Sequence, residues 1–189
     1  MMYQTDCETK NKILLSVREL AKNSPIDKIT VKQISERAGI TPQTFYNHFS
    51  DKYELIVYSY KERIRRMLKE RVEKNLSWKE LLRLFIIDYK NNARYVINAS
   101  KNTHGEDSYV AKTAGFLCEC MEDEFKSRKG TNELPYDIVM MIKMYIGGVI
   151  NIMNMWISGQ TKLSENDMVG LLDGAIPSRL RQYYSDNNK

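Results

Sequence analysis

The sequence has few of the residues on which enzyme chemistry depends. It holds two histidines, His48 and His104, in 189 residues, too few for a histidine-built metal site. Its three cysteines are Cys7, Cys118 and Cys120. An odd count with no framework points away from a disulfide scaffold and toward reduced thiols in the cytoplasm. Cys118 and Cys120 would sit about 200° apart around a helix, which suits joint metal ligation poorly. They read as core or surface thiols, with a redox sensor as the sharper alternative. Four prolines and nine glycines form no linker-like cluster, and no internal repeat is evident. There is no glycine-rich phosphate loop, no dinucleotide fingerprint and no nucleophile elbow. No catalytic residue, metal or cofactor is assigned, and an enzyme is not expected. The first residues, MMYQTDCETKNKI, lack the apolar core of a signal peptide, so none is expected.

What is present is a globular balance, 42% hydrophobic and 28% charged, with a net charge of +5. The charge is unevenly placed. Residues 1–76 hold 15 basic and 10 acidic residues, and the remainder holds 14 of each. A local basic excess marks a polyanion partner, or a solvated charged face.

Within that basic part, Ile29 to Leu55 has helix punctuation at close intervals. Thr30 and Gln33 have capping-box spacing at the head of a helix over Val31–Ala38. Gly39 is placed to end it in a left-handed conformation. Thr41 caps a second helix with Pro42 at its first position, carrying Gln43, Thr44, Phe45, Tyr46, Asn47, His48 and Phe49. This is helix-turn-helix spacing, whose second helix would present Thr41, Pro42, Gln43, Thr44, Tyr46, Asn47 and His48 to a DNA groove and its phosphates. Gln43 and Asn47 are the best base readers, because amides pair bidentately with adenine. Phe45 and Phe49 are expected to face the core. On spacing alone, an αα-hairpin with a polar outer face fits equally well.

Ile34, Ala38-Gly39-Ile40, Thr44-Phe45-Tyr46, His48-Phe49, Lys52 and Glu54-Leu55 resemble the N-terminal DNA-binding pattern of TetR-type (TetR/AcrR) transcriptional regulators. The pattern reaches back through Ile13, Leu14, Leu20, Ala21 and Thr30-Val31, covering about the first third of the chain. The resemblance implies a homodimer on a palindromic operator, with Thr30, Lys32 and Lys52 adding backbone contacts. It also implies a C-terminal domain that takes an effector. The segment YIGGVINIMNMWISGQTKLSENDMVGLLDGAIP is similar, less specifically, to the C-terminal domain of Firmicute regulators, including those of dihydroxyacetone kinase operons.

The rest of the chain also reads as helix. Thr5-Asp6-Cys7-Glu8 is placed to cap a first helix with Ile13, Val17, Leu20 and Ala21 inward. Ser50 or Asp51 caps a long helix to about residue 72, which the resemblance makes the link between domains. Ser77 to Glu80 caps another, Tyr95–Ile97 lies in a short helix, and residues 100–107 form a loop. Tyr109–Lys126 is helical, residues 127–133 form a second loop, and Pro135 opens a helix to Ser158. That helix is the most apolar in the chain; Lys143, Asn151 and Asn154 argue against a membrane span. Ser164 caps the last helix, Pro177 follows it, and the chain ends polar after Tyr183-Tyr184. The expectation is an all-α fold of about nine helices, with residues 1–53 as the DNA-binding domain and 54–189 as the effector and dimerisation domain.

Ile138, Ile142, Tyr145, Val149, Ile152 and Trp156 form a heptad seam. With Gly148 and Leu172 they are the expected dimer interface, Gly147-Gly148 allowing close approach of a neighbouring helix. Phe85, Tyr89, Tyr95, Phe116, Met121 and Met144 are the expected effector lining, although aromatic and Met residues at helical spacing also simply pack cores. The effector is a small molecule, or alternatively a partner protein served by an adaptor. The expected partners are double-stranded DNA and a second copy of the chain, with no membrane.

Overall fold

The computed structural model describes the backbone of residues 2–185 and the side chains of residues 6–184. It is all-α, with ten α-helices and one short 3-10 turn among the described residues. In order, the helices are α1 Met2–Ala21, α2 Val31–Ala38, α3 Pro42–Tyr46, α4 Lys52–Glu73, α5 Trp78–Asn91, α6 Ala93–Lys101, α7 Tyr109–Lys129, α8 Tyr136–Ile157, α9 Glu165–Gly174 and α10 Ser178–Ser185. The 3-10 turn spans Ile26–Lys28.

The helix boundaries follow local chemistry. Thr30 and Gln33 close a reciprocal capping box on α2, and Gly39 ends it at φ 69°. Asp51 caps α4, its carboxylate accepting from the backbone N–H of Tyr53 and Glu54. Ser77 and Glu80 cap α5, and Ser164 and Asp167 cap α9. Gly159, at φ 77°, follows α8. Each cap satisfies donors that a helix end otherwise leaves open, worth about 1 kcal/mol.

Three expectations change. Helix α1 begins at Met2, ahead of the cap assigned to Thr5, whose side chain lies outside the described residues. Helix α3 is five residues long, and His48 and Phe49 sit in the turn beyond it. The tenth helix, α10, lies beyond the helix capped by Ser164, which was expected to be the last. Pro177 precedes its first turn, which suits the fixed φ of proline. Leu180 is fully buried, and Tyr183 and Tyr184 stack on Phe125 and Trp78 at 4.3 and 4.2 Å.

The chain divides into two compact units, residues 1–63 with 92–111, and residues 64–91 with 112–189. In the first, α1 packs on α2 and α6 around Ile13, Val17, Ile26, Ile34, Phe45 and Leu55, each at most 1% exposed. Asn98 ties α6 to the loop after α1, donating to the carbonyls of Ala21 and Ser24 and accepting from the N–H of Ile26. In the second unit, α5 packs on α8 and α9, and α10 packs on α8. Its core includes Ile86, Phe125, Ile142, Met153, Met168 and Leu180. Helix α8 is the one helix among the described residues long and apolar enough to cross a membrane by length and composition. A core helix meets the same criteria, and seven of its residues are buried in this unit.

Candidate nucleic-acid interface

The turn between α2 and α3 is built from the inside. Ile34 and Phe45 are fully buried and Phe49 nearly so. Phe45 meets Phe49 at 5.9 Å, and Phe49 meets Tyr58 at 5.3 Å. Burial of such side chains stabilises by about 1.5–3 kcal/mol each, and it sets which face of α3 remains outside. That face carries Thr41, Pro42, Gln43, Tyr46 and Asn47, all exposed, with Thr44 half-buried. Tyr46 is 54% exposed, and its ring stands edge-on to Phe45 at 5.6 Å.

Most of these side chains are pre-positioned by one another. Thr41 caps α3 through the N–H of Thr44 at 3.1 Å, and the two hydroxyls lie 2.9 Å apart. The Gln43 amide donates to the Asn47 carbonyl oxygen at 3.2 Å. The two amides assigned to base reading are therefore linked one turn apart. His48 is half-buried, with Nδ1 3.0 Å from a carboxylate oxygen of Asp6. Lys10 holds the Asp6 carboxyl below its usual range through a 2.8 Å hydrogen bond. Sequence inspection missed Asp6 as a partner of His48, because 42 residues separate them and no spacing rule links them.

The flanking residues divide into two kinds. Lys32 is solvent-facing, with its ammonium 3.9 Å from Glu36, and exposed Thr30 spends its polar groups on the α2 cap. Lys52 is bound to the scaffold. Its ammonium donates to the carbonyls of Asp27 and Ile29, both at 2.7 Å. Burial lowers its pKa from the usual lysine value. Two of its three donors are thus committed to holding the 3-10 turn against the start of α4.

The expected dimer seam lies inward. Ile138, Ile142, Tyr145, Val149 and Leu172 are all at most 7% exposed within a single chain. Tyr145 donates to the carbonyl of Leu172 at 2.8 Å, and Trp156 donates to the carbonyl of Leu163 at 2.7 Å. Ile152 and Trp156 are half-buried. The heptad spacing therefore records packing within one chain. The outward stripe of α8 is Tyr136, Lys143, Met144, Gly147, Gly148 and Asn151, with Met144 77% exposed. On α9 the exposed residues include Gly170, Leu171 and Gly174. A Cβ added at Gly147, Gly148, Gly170 or Gly174 would meet nothing within 4 Å, so no group among the described residues requires these glycines.

The expected effector residues also separate. Phe85 and Met121 line a cavity of about 80 Å³ in the second unit. Tyr89 is buried outside its lining, donating to Asn154 at 2.9 Å. Phe116 is buried beneath the Arg65 guanidinium, 5.3 Å from its ring. Tyr95 belongs to the first unit, and Met144 faces outward. Trp78, Glu124, Tyr145 and Tyr184 also line the cavity. The i, i+3, i+4 spacing of Leu180, Tyr183 and Tyr184 was the available sign that the C-terminal segment contributes a packed helix.

Comparisons with known proteins agree with this geometry. Residues 13–58 match the family described as bacterial regulatory proteins, tetR family. No curated protein matches the sequence. Among solved structures, the dihydroxyacetone kinase operon activator DhaS is 16% identical with a TM-score of 0.64, covering 94% of this chain and 98% of its own. The fatty acid degradation regulator FadR from Bacillus halodurans is 13% identical with a TM-score of 0.62, covering 95% and 96%. A TetR transcriptional regulator from Rhodococcus sp. RHA1 is 13% identical with a TM-score of 0.61, covering 90% and 96%. At residues 13–58 the chain thus carries the N-terminal domain of the tetR family of bacterial regulatory proteins, within a fold shared with solved transcriptional regulators.

Proposed function

We propose that the protein is a cytoplasmic, ligand-responsive transcriptional regulator that binds a palindromic operator as a homodimer. The observation that carries this reading is the outward face of α3. Gln43, Tyr46 and Asn47 are exposed on a short helix whose buried side is locked by Phe45 and Phe49. In this reading residues 1–53 form the DNA-binding domain and 54–189 the effector and dimerisation domain. Gln43 and Asn47 meet base edges, while Thr41, Pro42, Thr44, Tyr46 and His48 fix the helix in the groove. Lys32, Thr30 and the remaining donor of Lys52 approach phosphates.

Dimerisation uses the outward stripe of α8 and α9. Met144, Gly147, Gly148 and Asn151 face Gly170, Leu171 and Gly174 of a second copy, which lets backbones approach closely. The cavity in the second unit is the effector site, and its occupancy changes the separation of the two recognition helices. Two such helices fit one operator when about 34–36 Å apart.

The test is selection of duplexes from random and neighbouring genomic DNA, followed by sedimentation of the complex. The expected result is a two-fold-symmetric site holding an even number of chains. A single chain on an asymmetric site would contradict the dimer reading, and recovery of no site would contradict DNA recognition.

A further inference from the structure

We propose that the cavity of the second unit takes a small monocarboxylic acid, its apolar body among the core side chains and its carboxylate at the Trp78–Tyr184 end. The inference rests on the reading of this cavity as the effector site and adds the chemical class of the ligand.

The body of the cavity is hydrocarbon. Ile64, Leu82, Phe85, Met121, Ile146 and Val149 are among its lining residues. A dry cavity of roughly 150 Å³ suffices to hold benzene, so one of about 80 Å³ favours a short chain or a small ring. Met67 and Met121 in the wall are unbranched and adapt in shape.

One end is different. Trp78 Nε1 and the Tyr184 hydroxyl are buried with no hydrogen-bond partner among the described residues, and both residues line the cavity. The two rings stack at 4.2 Å, which places both residues on one stretch of the cavity wall. An indole N–H only donates, so the missing partner there is an acceptor. Burial raises the Tyr184 pKa well above its usual value, which keeps its O–H available as a second donor.

The charges add a sign. Arg71 and Arg128 both pair with a single oxygen of Glu124, at 2.6 and 2.7 Å, and both guanidiniums lie 5.6 Å from the Tyr184 ring centre. Arg71 is 9% exposed. Arg128 Nη1 is buried without a partner among the described residues. Two guanidiniums against one carboxylate leave one positive charge in a sheltered setting, where an uncompensated charge is costly. A single carboxylate neutralises it and offers two acceptor oxygens to the waiting donors. A dianionic head would overcompensate it, and an amine would have to compete with both guanidiniums for Glu124, the charged residue of the lining.

The test uses ¹⁵N-labelled full-length protein, whose two tryptophans, Trp78 and Trp156, give two indole N–H signals. Trp156→Phe assigns them. Pentanoate, 1-pentanol and pentylamine are titrated separately. The expected result is a saturable shift of the Trp78 signal by pentanoate at affinity at least tenfold above that of 1-pentanol, with none from pentylamine. Arg128→Met should abolish the preference for the acid, and Tyr184→Phe, which removes only a hydroxyl, should weaken pentanoate several-fold. Equal affinity for acid and alcohol, no shift by any of the three, or a preference that survives both substitutions would overturn the proposal. Pentanoate binding that leaves operator affinity unchanged would uphold the ligand class and sink the effector reading.

Discussion

The side-chain oxygen of Asn98 accepts a hydrogen bond from the backbone N–H of Ile26 at 2.9 Å, across 72 residues of sequence. The same amide donates to the carbonyls of Ala21 and Ser24 at 2.9 and 2.7 Å. One side chain on α6 thereby satisfies three backbone groups in the loop that leads into the helix-turn-helix. That explains why residues 92–111 form a compact unit with the N-terminal helices. Asn98→Ala leaves these groups to find other partners, at about 1–3 kcal/mol for each one that stays buried and unpaired. Chemical denaturation of this variant is expected to show a loss of at least about 2 kcal/mol. A loss below about 0.5 kcal/mol would show that the linkage does not hold the loop.

Phe45 and Tyr46 are adjacent, yet their substitutions should act on different measurements. Phe45 is fully buried and Tyr46 is 54% exposed. Phe45→Ala should cost about 3–5 kcal/mol of stability. Tyr46→Ala should leave the melting temperature within a few degrees of wild type and lower operator affinity. Equal effects of the two on stability would contradict the assignment of the outer face of α3.

Gly148→Leu separates the dimer face from the fold. A Cβ at this position meets nothing within 4 Å, and replacing a mid-helix glycine removes a helix penalty of about 1 kcal/mol. The variant should therefore fold at least as well as wild type while sedimenting as a monomer. A normal dimer of unchanged affinity would exclude this stripe from the interface, and an unfolded chain would show that the site is not open.

The cysteines should behave as structural thiols. Burial pushes the Cys118 thiol up to about 11, with Glu122 adding to the shift. A rise from 9.0 to about 11 means about a hundredfold less thiolate at pH 8. Iodoacetamide at pH 8 should label exposed Cys7 well before Cys118, as followed by mass spectrometry. Between pH 9 and 11 the folded state retains a proton that the unfolded state releases, so this group's contribution to stability falls as pH rises. Faster labelling of Cys118 than of Cys7 would revive the redox-sensor reading.

The fold was legible wherever local chemistry decides it. Thr30, Gln33, Gly39 and Thr41 act through neighbours within four residues, so the boundaries of α2 and the start of α3 follow from spacing. Partners far apart in sequence were not legible. The heptad at Ile138, Ile142, Tyr145 and Val149 was correctly apolar, but apolar spacing on α8 does not say whether the covering surface comes from this chain or another. Helices α5 and α10 both pack on α8, which leaves the glycine and methionine stripe outward. The cavity was hidden for a related reason. Trp78 and Tyr184 lie more than a hundred residues apart, and only the fold of α10 stacks them. Asp6 and His48 likewise meet only once α1 is packed.

The most direct measurement is a salt titration of operator binding by wild type and Tyr46→Ala. Neutralised phosphates release counterions, so the logarithm of affinity should fall linearly with the logarithm of salt concentration, with a slope steeper than about −3 for a dimer. Tyr46→Ala should bind more weakly at every salt concentration. A flat salt response, or equal affinity for operator and scrambled duplex, would contradict sequence-specific DNA binding by this face.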